Sequence, residues 1–250
     1  MSQTSSTEIS KRLADVHVFY GLLWDLERRL GGARRLGETD GRSGWPPRGV
    51  YFFFENGEQR SDSGNGPRVV RVGTHALTVS SRTTLWKRLS NHRGPRRGVG
   101  NHRGSIFRLL IGAALMQRAG LNEPSSWGSG SDPGQAARNL GFERQQVVES
   151  ELDLEESVSQ YIGAMRVLWL GIDDPAGPKS LRGYIERNTI ALLSNFLGSN
   201  VDPPSDEWLG RWSDRERVRG SGLWNQNHVE ESHDPEFLIK LTDLVKHSGV

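Results

Sequence analysis

Four side chains that could act together on a phosphodiester occur in order along this 250-residue chain. Tyr51 lies in a strand-like run. Arg88 and His92 stand four residues apart in a helix-like segment, and Glu186 follows in a later one. A phenol, a guanidinium and a carboxylate held close together can bind a divalent metal ion and split a phosphodiester bond. That chemistry requires strands and helices that bring these residues to one place.

Two apolar runs with strand character flank a polar, turn-rich segment. The first, Val50 to Phe54, is apolar on both faces, as in an inner strand, and the second is Val69 to Val72. The segment between them contains Asn56-Gly57 and Gly64-Asn65-Gly66. The pattern therefore predicts a hairpin with a long connection.

Strand alternation decides which side chains of this hairpin face the same way. If the strands pair antiparallel, Tyr51 and Arg71 lie on one side of the sheet, and Val70 and Val72 lie on the other. The ordinary alternatives are a core aromatic for Tyr51 and a solvent-facing strand residue for Arg71.

The next segment, residues 83–92, predicts a helix with Leu85 and Leu89 one turn apart on its buried stripe. Arg88 and His92 lie beside that stripe. They are either surface residues or a partly desolvated pair that holds a phosphate.

Ser180 to Leu197 predicts a regular helix that Ser180 can cap. Glu186 shares its face with Ile190 and Leu193, where an unpaired charge is costly. Two explanations stay open: an ion pair with Arg182 one turn earlier, or a metal ion bound by the carboxylate.

Apolar spacing predicts one more strand, at residues 165–172, and helices at residues 6–30, 105–119, 149–160 and 235–246. A flexible link is predicted at residues 122–134.

In the tail, we expect Trp208, Trp212 and Trp224 to pack onto the core, the alternative being stacking on nucleic acid. The segment His228 to Asp234 has metal-ligand residue types without regular spacing and predicts a solvated loop.

Composition excludes several classes of site. The chain has no cysteine, which excludes disulfides, thiolate zinc sites and a cysteine nucleophile. The N-terminus lacks a signal-peptide pattern and no apolar run is long enough to span a membrane. We therefore expect a soluble, cytoplasmic protein.

Charge is unevenly distributed along the chain. Residues 82–108 contain eight basic side chains and no acid, so the run repels itself unless an anion lies against it. Within it, Asn91 to Gly94 recurs as Asn101 to Gly104, either by chance or as two turns that face a phosphate backbone. The six acids of residues 143–156 predict a solvated helical face.

The chain resembles the GIY-YIG nucleases, as a divergent member, over roughly residues 44–200. Gly49-Val50-Tyr51 matches the first motif, and Arg88, His92 and Glu186 follow in the family's order. The second motif reads Arg71-Val72-Gly73, so arginine replaces its tyrosine. The family's asparagine, which commonly follows the glutamate, has four candidates here: Asn195, Asn200, Asn225 and Asn227.

The resemblance implies an α+β fold with a small, mainly antiparallel three-stranded sheet flanked by helices. On this basis, residues 1–43 form an N-terminal helical extension and residues 44–200 form the core, with an insertion at about 95–160. Residues 201–250 form a C-terminal Trp/Arg-rich extension packed on the core.

The resemblance also implies a metal-dependent endonuclease that hydrolyses phosphodiester bonds in DNA, with RNA not excluded. Its Mg²⁺ or Mn²⁺ would be held by Glu186, and its oligomeric state is left open. The expected catalytic residues are Tyr51, Arg71, Arg88, His92 and Glu186, and the expected nucleic-acid contacts are Arg93, Arg96, Arg97, His102 and Arg103. The alternatives are an inactive nucleic-acid-binding module on the same scaffold and a protein-interaction subunit.

Overall fold

The computed structural model describes residues 2–96, 99–122, 124–197 and 200–248, which form an α+β fold. In chain order the elements are α1 (Ser2–Leu30), β1 (Arg34–Arg35), β2 (Gly49–Gln59), β3 (Pro67–Gly73), α2 (Leu85–Arg93), α3 (Ile106–Ala119), α4 (Pro133–Leu140), α5 (Arg144–Ala164), β4 (Arg166–Gly171), α6 (Leu181–Leu193), α7 (Glu216–Ser221) and α8 (Glu236–Lys246). No helix among the described residues is both long enough and apolar enough to cross a membrane.

The sheet has four strands in the order β1-β4-β2-β3, and each neighbouring pair is antiparallel. The prediction of three strands was therefore wrong by one. The additional strand, β1, consists of Arg34 and Arg35 and pairs with the start of β4. Two arginines in a polar stretch carry no apolar alternation, so strand formation here depends on the neighbour and not on the local pattern.

Strand β2 lies between β3 and β4, and both of its faces are buried, as its apolar run predicted. Val50, Phe52 and Phe54 pack in a core cluster with residues of α1, α6 and α8. Tyr51 and Phe53 pack on the opposite face, in a cluster that includes residues of α2, α3 and α5. The candidate site forms on this second face.

A β-bulge in β3 changes the predicted alternation. Tyr51 pairs with Gly73 and Phe53 with Arg71, but Phe54 pairs with Val69, so Val70 is the extra residue. Val70 therefore packs in the same cluster as Tyr51, and not on the opposite face as the simple alternation predicted.

Helix α2 is tied at its first turn to the segment just before β2. The Leu85 amide donates to the Pro47 carbonyl at 3.0 Å, and Thr84 caps the helix by accepting from the Lys87 amide at 3.2 Å. Leu85 and Leu89 are buried, as their spacing predicted. The helix therefore carries Arg88 and His92 across the face of the sheet that contains Tyr51.

Two buried ion pairs attach the first turn of α3 and the segment before it to α5. Arg103 forms a two-bond ion pair with Glu151, at 2.7 Å for each bond. Arg108 forms an ion pair with Glu155, which also accepts from His102 Nδ1 at 2.9 Å. The six acids of residues 143–156 are thus not all on a solvated face, because Glu151 and Glu155 are buried partners of arginines.

The tail after α6 is attached to the hairpin through the carboxylate of Glu55. The indole nitrogens of Trp208 and Trp224 both donate to Glu55, at 3.2 and 3.1 Å. Burial raises the pKa of Glu55, although these bonds and one from Tyr161 oppose the shift. Trp208 and Trp224 therefore serve as buried packing residues and are not available to stack on a nucleic acid.

We expect Glu155→Ala to destabilise the fold by about 3–5 kcal/mol, because it leaves the buried Arg108 without its carboxylate. The neighbouring exposed Glu156→Ala serves as the control and should shift stability by no more than about 0.5 kcal/mol. Urea unfolding followed by circular dichroism measures both. Equal, small effects would show that the Arg108 pair does not hold α5.

Candidate active site

A buried chain of hydrogen bonds leads from the sheet to α3. The Tyr51 hydroxyl lies 2.8 Å from His92 Nε2, and His92 Nδ1 lies 2.6 Å from the Ser105 hydroxyl. Tyr51 and His92 are both fully buried. The tyrosine and histidine predicted from separate elements therefore make a direct contact, and each restricts the orientation of the other.

Three guanidinium groups act on His92. Burial lowers its pKa well below the ordinary value, and the positive charges of Arg88, Arg71 and Arg108 lower it further. The imidazole is therefore neutral at neutral pH. A neutral ring has one donor nitrogen and one acceptor nitrogen, which suits its place between two hydroxyl groups.

Arg71 is buried on the same face as Tyr51. One of its terminal nitrogens donates to the Trp224 carbonyl at 2.5 Å, and its guanidinium lies 4.6 Å from the centre of the Phe107 ring. Burial lowers the pKa of Arg71, and the positive charge of Arg88 adds to this, whereas Tyr51 and Glu186 oppose it. Residues from β2, α2 and α6 thus lie within electrostatic reach of this one guanidinium.

Glu186 is half-buried and faces the end of β3. Its Oε1 accepts from the Thr74 amide at 3.0 Å. Burial raises its pKa, and the Thr74 bond and the charges of Arg71, His228 and Arg88 oppose the shift. Among the described residues, no basic group lies within 4.0 Å of its carboxylate.

The ion pair between Glu186 and Arg182, which was the alternative to a metal ion at this carboxylate, does not form. Arg182, one turn earlier, is buried and pairs with Asp174 at 2.7 Å. Glu186 therefore stands on the apolar helix face with one backbone donor and no ion-pair partner in the described part of the chain.

Gly73 makes room for the phenol. A Cβ atom on this residue would lie 2.3 Å from the Tyr51 hydroxyl oxygen, which is shorter than any real contact. The glycine of the second motif is thus required by the close approach of Tyr51, and not by an unusual backbone angle.

His75 was not selected from the sequence, and it lies at the edge of this site. It is only 5% exposed, and the Pro47 backbone is the neighbour that favours its charged form. Burial lowers its pKa to about 4, with help from the charges of Arg182, Arg48 and Arg88. A single histidine in a loop gave no periodic signal that could have identified it.

The residues predicted to contact nucleic acid differ in how far their side chains are exposed. His102 and Arg103 are buried and engaged with Glu155 and Glu151, so their side chains cannot meet a phosphate as predicted. Arg93 is half-buried and donates to the Gly94 carbonyl at 3.0 Å. Arg96 is exposed, and Arg97 lies outside the described residues.

The two copies of the Asn-His-Arg-Gly motif face each other across a groove of about 450 Å³. Asn91 and Gly94 of the first copy and Asn101 and Gly104 of the second line it, together with Lys87. These parts of the repeat thus line one groove, while its histidines are buried.

The asparagine candidates have different environments. Asn225 is buried and bridges the backbone of Val72, accepting from its amide at 3.1 Å and donating to its carbonyl at 2.8 Å. Asn195 is buried and bonds Val201. Asn200 and Asn227 are exposed. Asn225 therefore extends the edge of β3 and ties the C-terminal segment to the site.

Glu186 alone among the predicted residues suits a metal ion. No group of three or more His, Cys, Asp or Glu side chains with metal-binding geometry occurs in the described residues. A single carboxylate is nevertheless sufficient for Mg²⁺, which usually keeps several waters and takes further oxygens from substrate phosphates. An unpaired, half-buried carboxylate fits that ligand set.

The chain matches the family model described as "GIY-YIG domain" over residues 10–249. It therefore belongs to the GIY-YIG superfamily, as its motifs indicated. Domains of this superfamily are typically endonucleases, which act on nucleic acid and generally use divalent metals. No curated protein and no solved structure matched the chain.

We expect Gly73→Ala to cost about 1–3 kcal/mol of stability, because its Cβ would overlap the Tyr51 hydroxyl. Gly21→Ala is the matched control, since nothing lies within 4 Å of its Cβ and alanine favours helix α1 by about 0.5–1 kcal/mol. Denaturant unfolding of both variants measures the difference. A neutral Gly73→Ala would contradict the close approach.

Because His75 is buried in its neutral form, we expect the protein to lose stability in acid. The folded pKa of His75 is about 4 and the unfolded value is near 6.5, so the unfolded chain binds the proton first as the pH falls. The stability contribution is complete above pH 6.5 and is lost as the pH falls towards 4. Thermal unfolding between pH 7 and 4 should therefore show a smaller decline for His75→Gln than for wild type.

His247→Gln, at an exposed histidine near the C-terminus, is the control for this measurement. Its decline should match that of wild type. Parallel curves for wild type and His75→Gln would exclude a buried, neutral His75.

Proposed function

We propose that this protein is a divalent-metal-dependent endonuclease that hydrolyses phosphodiester bonds in DNA through Tyr51, Arg71, Arg88, His92 and Glu186. The observation that carries the proposal is the position of Arg71. Its guanidinium lies within electrostatic reach of Tyr51, Arg88 and Glu186, which come from three different elements.

In this proposal each side chain has a distinct role. Arg88 is half-buried and its Nε has no partner in the described structure, so its guanidinium is available to a phosphate. It stabilises the negative charge that builds on the phosphoryl oxygens as the water attacks. Glu186 would hold Mg²⁺ or Mn²⁺, which neutralises charge on the phosphate and the leaving oxygen.

Tyr51 orients the attacking water, and His92 keeps the phenol in place. Arg71 places a positive charge near the phenol, at the position where the family's second motif has tyrosine. The replacement therefore puts a cation near Tyr51 in place of a second phenol.

The nucleic-acid surface in this proposal is smaller than the sequence predicted. It consists of the exposed Arg82, Lys87 and Arg96 and the groove between the two Asn-His-Arg-Gly copies. Cations and backbone amides of this kind contact phosphates and give salt-dependent affinity without reading sequence.

Incubation of supercoiled plasmid with the full chain tests the activity. We expect nicking or linearisation with Mg²⁺ or Mn²⁺ and none with EDTA. Glu186→Ala should lower the rate at least ~100-fold, and Arg88→Ala by about 10²–10³, because each removes an interaction that grows in the transition state. Glu156→Ala, at an exposed acid on α5, should keep the wild-type rate.

The tyrosine replacement also supports a second function, an inactive nucleic-acid-binding module. That alternative predicts salt-dependent DNA binding that Glu186→Ala leaves intact, with no cleavage by wild type. Wild-type cleavage that depends on Glu186 excludes it. Absence of both cleavage and low-salt binding on DNA and RNA would contradict both functions and favour a protein-interaction subunit.

A further inference from the structure

Ser105 is a buried serine whose hydroxyl group contacts the candidate site through His92. It is 1% exposed and caps α3, where its side-chain oxygen accepts from the Arg108 amide at 3.3 Å. Its backbone is held as well, since its amide donates to the His102 carbonyl at 2.9 Å and its carbonyl accepts from the Leu109 amide at 3.1 Å. The hydroxyl group therefore has a fixed position beside the His92 ring.

The His92 ring is enclosed, with one hydroxyl group at each nitrogen. Its Nδ1 lies 2.6 Å from Ser105 Oγ, and its Nε2 lies 2.8 Å from the Tyr51 hydroxyl. The rings of Phe53 and Phe107 pack against it at steep angles, and none of its surface is exposed. Because the imidazole is neutral, it carries one proton, and its two hydroxyl partners determine which nitrogen holds that proton.

The hydroxyl proton of Ser105 distinguishes the two tautomers. A serine hydroxyl can donate one hydrogen bond and accept two. In the described part of the chain, this hydroxyl has two partners, the Arg108 amide and His92 Nδ1. The amide can only donate, so His92 Nδ1 is the acceptor for the serine proton. If Nδ1 carried the ring proton instead, the serine proton would be buried without an acceptor, which is costly.

The direction of this hydrogen bond continues to Tyr51. A neutral ring that accepts at Nδ1 carries its proton on Nε2 and donates it to the Tyr51 oxygen. The phenol proton then does not bond the imidazole and can bond the oxygen of the attacking water. A water oxygen has two lone pairs, so one can accept from Tyr51 while the other attacks. In the opposite direction, the phenol proton would bond His92 and would be lost to the water.

We propose that Ser105 is a positioning residue of this site, which holds His92 in the Nε2-protonated form so that the imidazole donates to Tyr51 and leaves the phenol proton for the attacking water. This inference rests on the proposed role of Tyr51 in DNA hydrolysis. Ser105 acts through His92 and needs no contact with the phosphate or the metal ion. His92 accordingly holds the phenol oxygen and does not remove the phenol proton.

Nuclear magnetic resonance of the full chain, labelled with ¹⁵N-histidine, tests the direction without any substrate. The chain has 7 histidines, so the two-bond proton–nitrogen spectrum of their rings is simple, and His92 is assigned through its backbone resonances. At neutral pH, His92 should show a protonated Nε2 and an unprotonated Nδ1. In Ser105→Ala the donor to Nδ1 is lost, so we expect His92 to exchange between both tautomers.

Ser105→Ala also removes a helix cap, and Asp132→Ala is a control with the same defect elsewhere. Asp132 caps α4 by accepting from the amides of Gly134 and Gln135, at 2.8 and 3.0 Å. Asp132→Ala should lower stability to a similar degree, while His92 keeps one tautomer and plasmid is cut at the wild-type rate. Ser105→Ala should lower kcat for plasmid about 10-fold with little change in KM.

The outcomes separate this inference from the proposed function. An Nδ1-protonated His92 in the wild type overturns the inference, and this spectrum decides the direction even if Ser105→Ala does not fold. A single, unchanged tautomer in Ser105→Ala, or plasmid cleavage by that variant at the wild-type rate, overturns the role of Ser105. The expected tautomers, in a wild type that cuts no DNA, support the hydrogen-bond direction and contradict the nuclease.

Discussion

The antiparallel pairing of β2 with β3 is the contact on which the candidate site depends. It sets Tyr51 opposite Gly73, the one residue type that leaves space for the phenol, and places Arg71 nearby on the same face. Because β4 covers the other edge of β2, the tyrosine is enclosed and its orientation is restricted. Catalysis by positioning requires this kind of restriction, because a small displacement of a reacting group lowers the rate strongly.

The electrostatics of the site are unbalanced towards positive charge. Arg71, Arg88 and Arg108 all act on the neutral His92, and Arg108 alone among them has a carboxylate partner in the described structure. Burying cations without matching anions is unfavourable unless a ligand supplies the negative charge. A phosphodiester has that charge, and the imbalance supports the proposed substrate.

The basic run of residues 82–108 serves two purposes. Arg103 and Arg108 point inwards and pair with Glu151 and Glu155 of α5, so the run that is free of acids along the sequence is not free of them in space. Arg82, Lys87 and Arg96 stay exposed. Two arginines of this segment thus attach α5 to α3 and the residues before it. The cationic surface that remains is smaller than the sequence predicted.

The elements that carry the site could be predicted, because their signals are local. The apolar runs of β2 and β3, the Leu85 and Leu89 stripe of α2 and the cap at Ser180 each depend on spacing within one segment. Strand β1 could not be predicted, since two arginines become a strand through pairing with β4. The bulge at Val70 was equally inaccessible, because only the register with β2 reveals it.

The sequence alone determined that a tyrosine strand, an arginine helix and a glutamate helix follow one another in the order typical of GIY-YIG domains. Only the tertiary structure decided which charges pair: Arg182 binds Asp174 and leaves Glu186 without a basic partner in the described chain, while the charges of Arg71, His228 and Arg88 act on it from further away. The physical reason is that the spacing of side chains within one segment reveals only the type of element and its buried face. The partner of a buried charge is set by contacts between segments distant in the chain, where desolvation makes each pairing decisive.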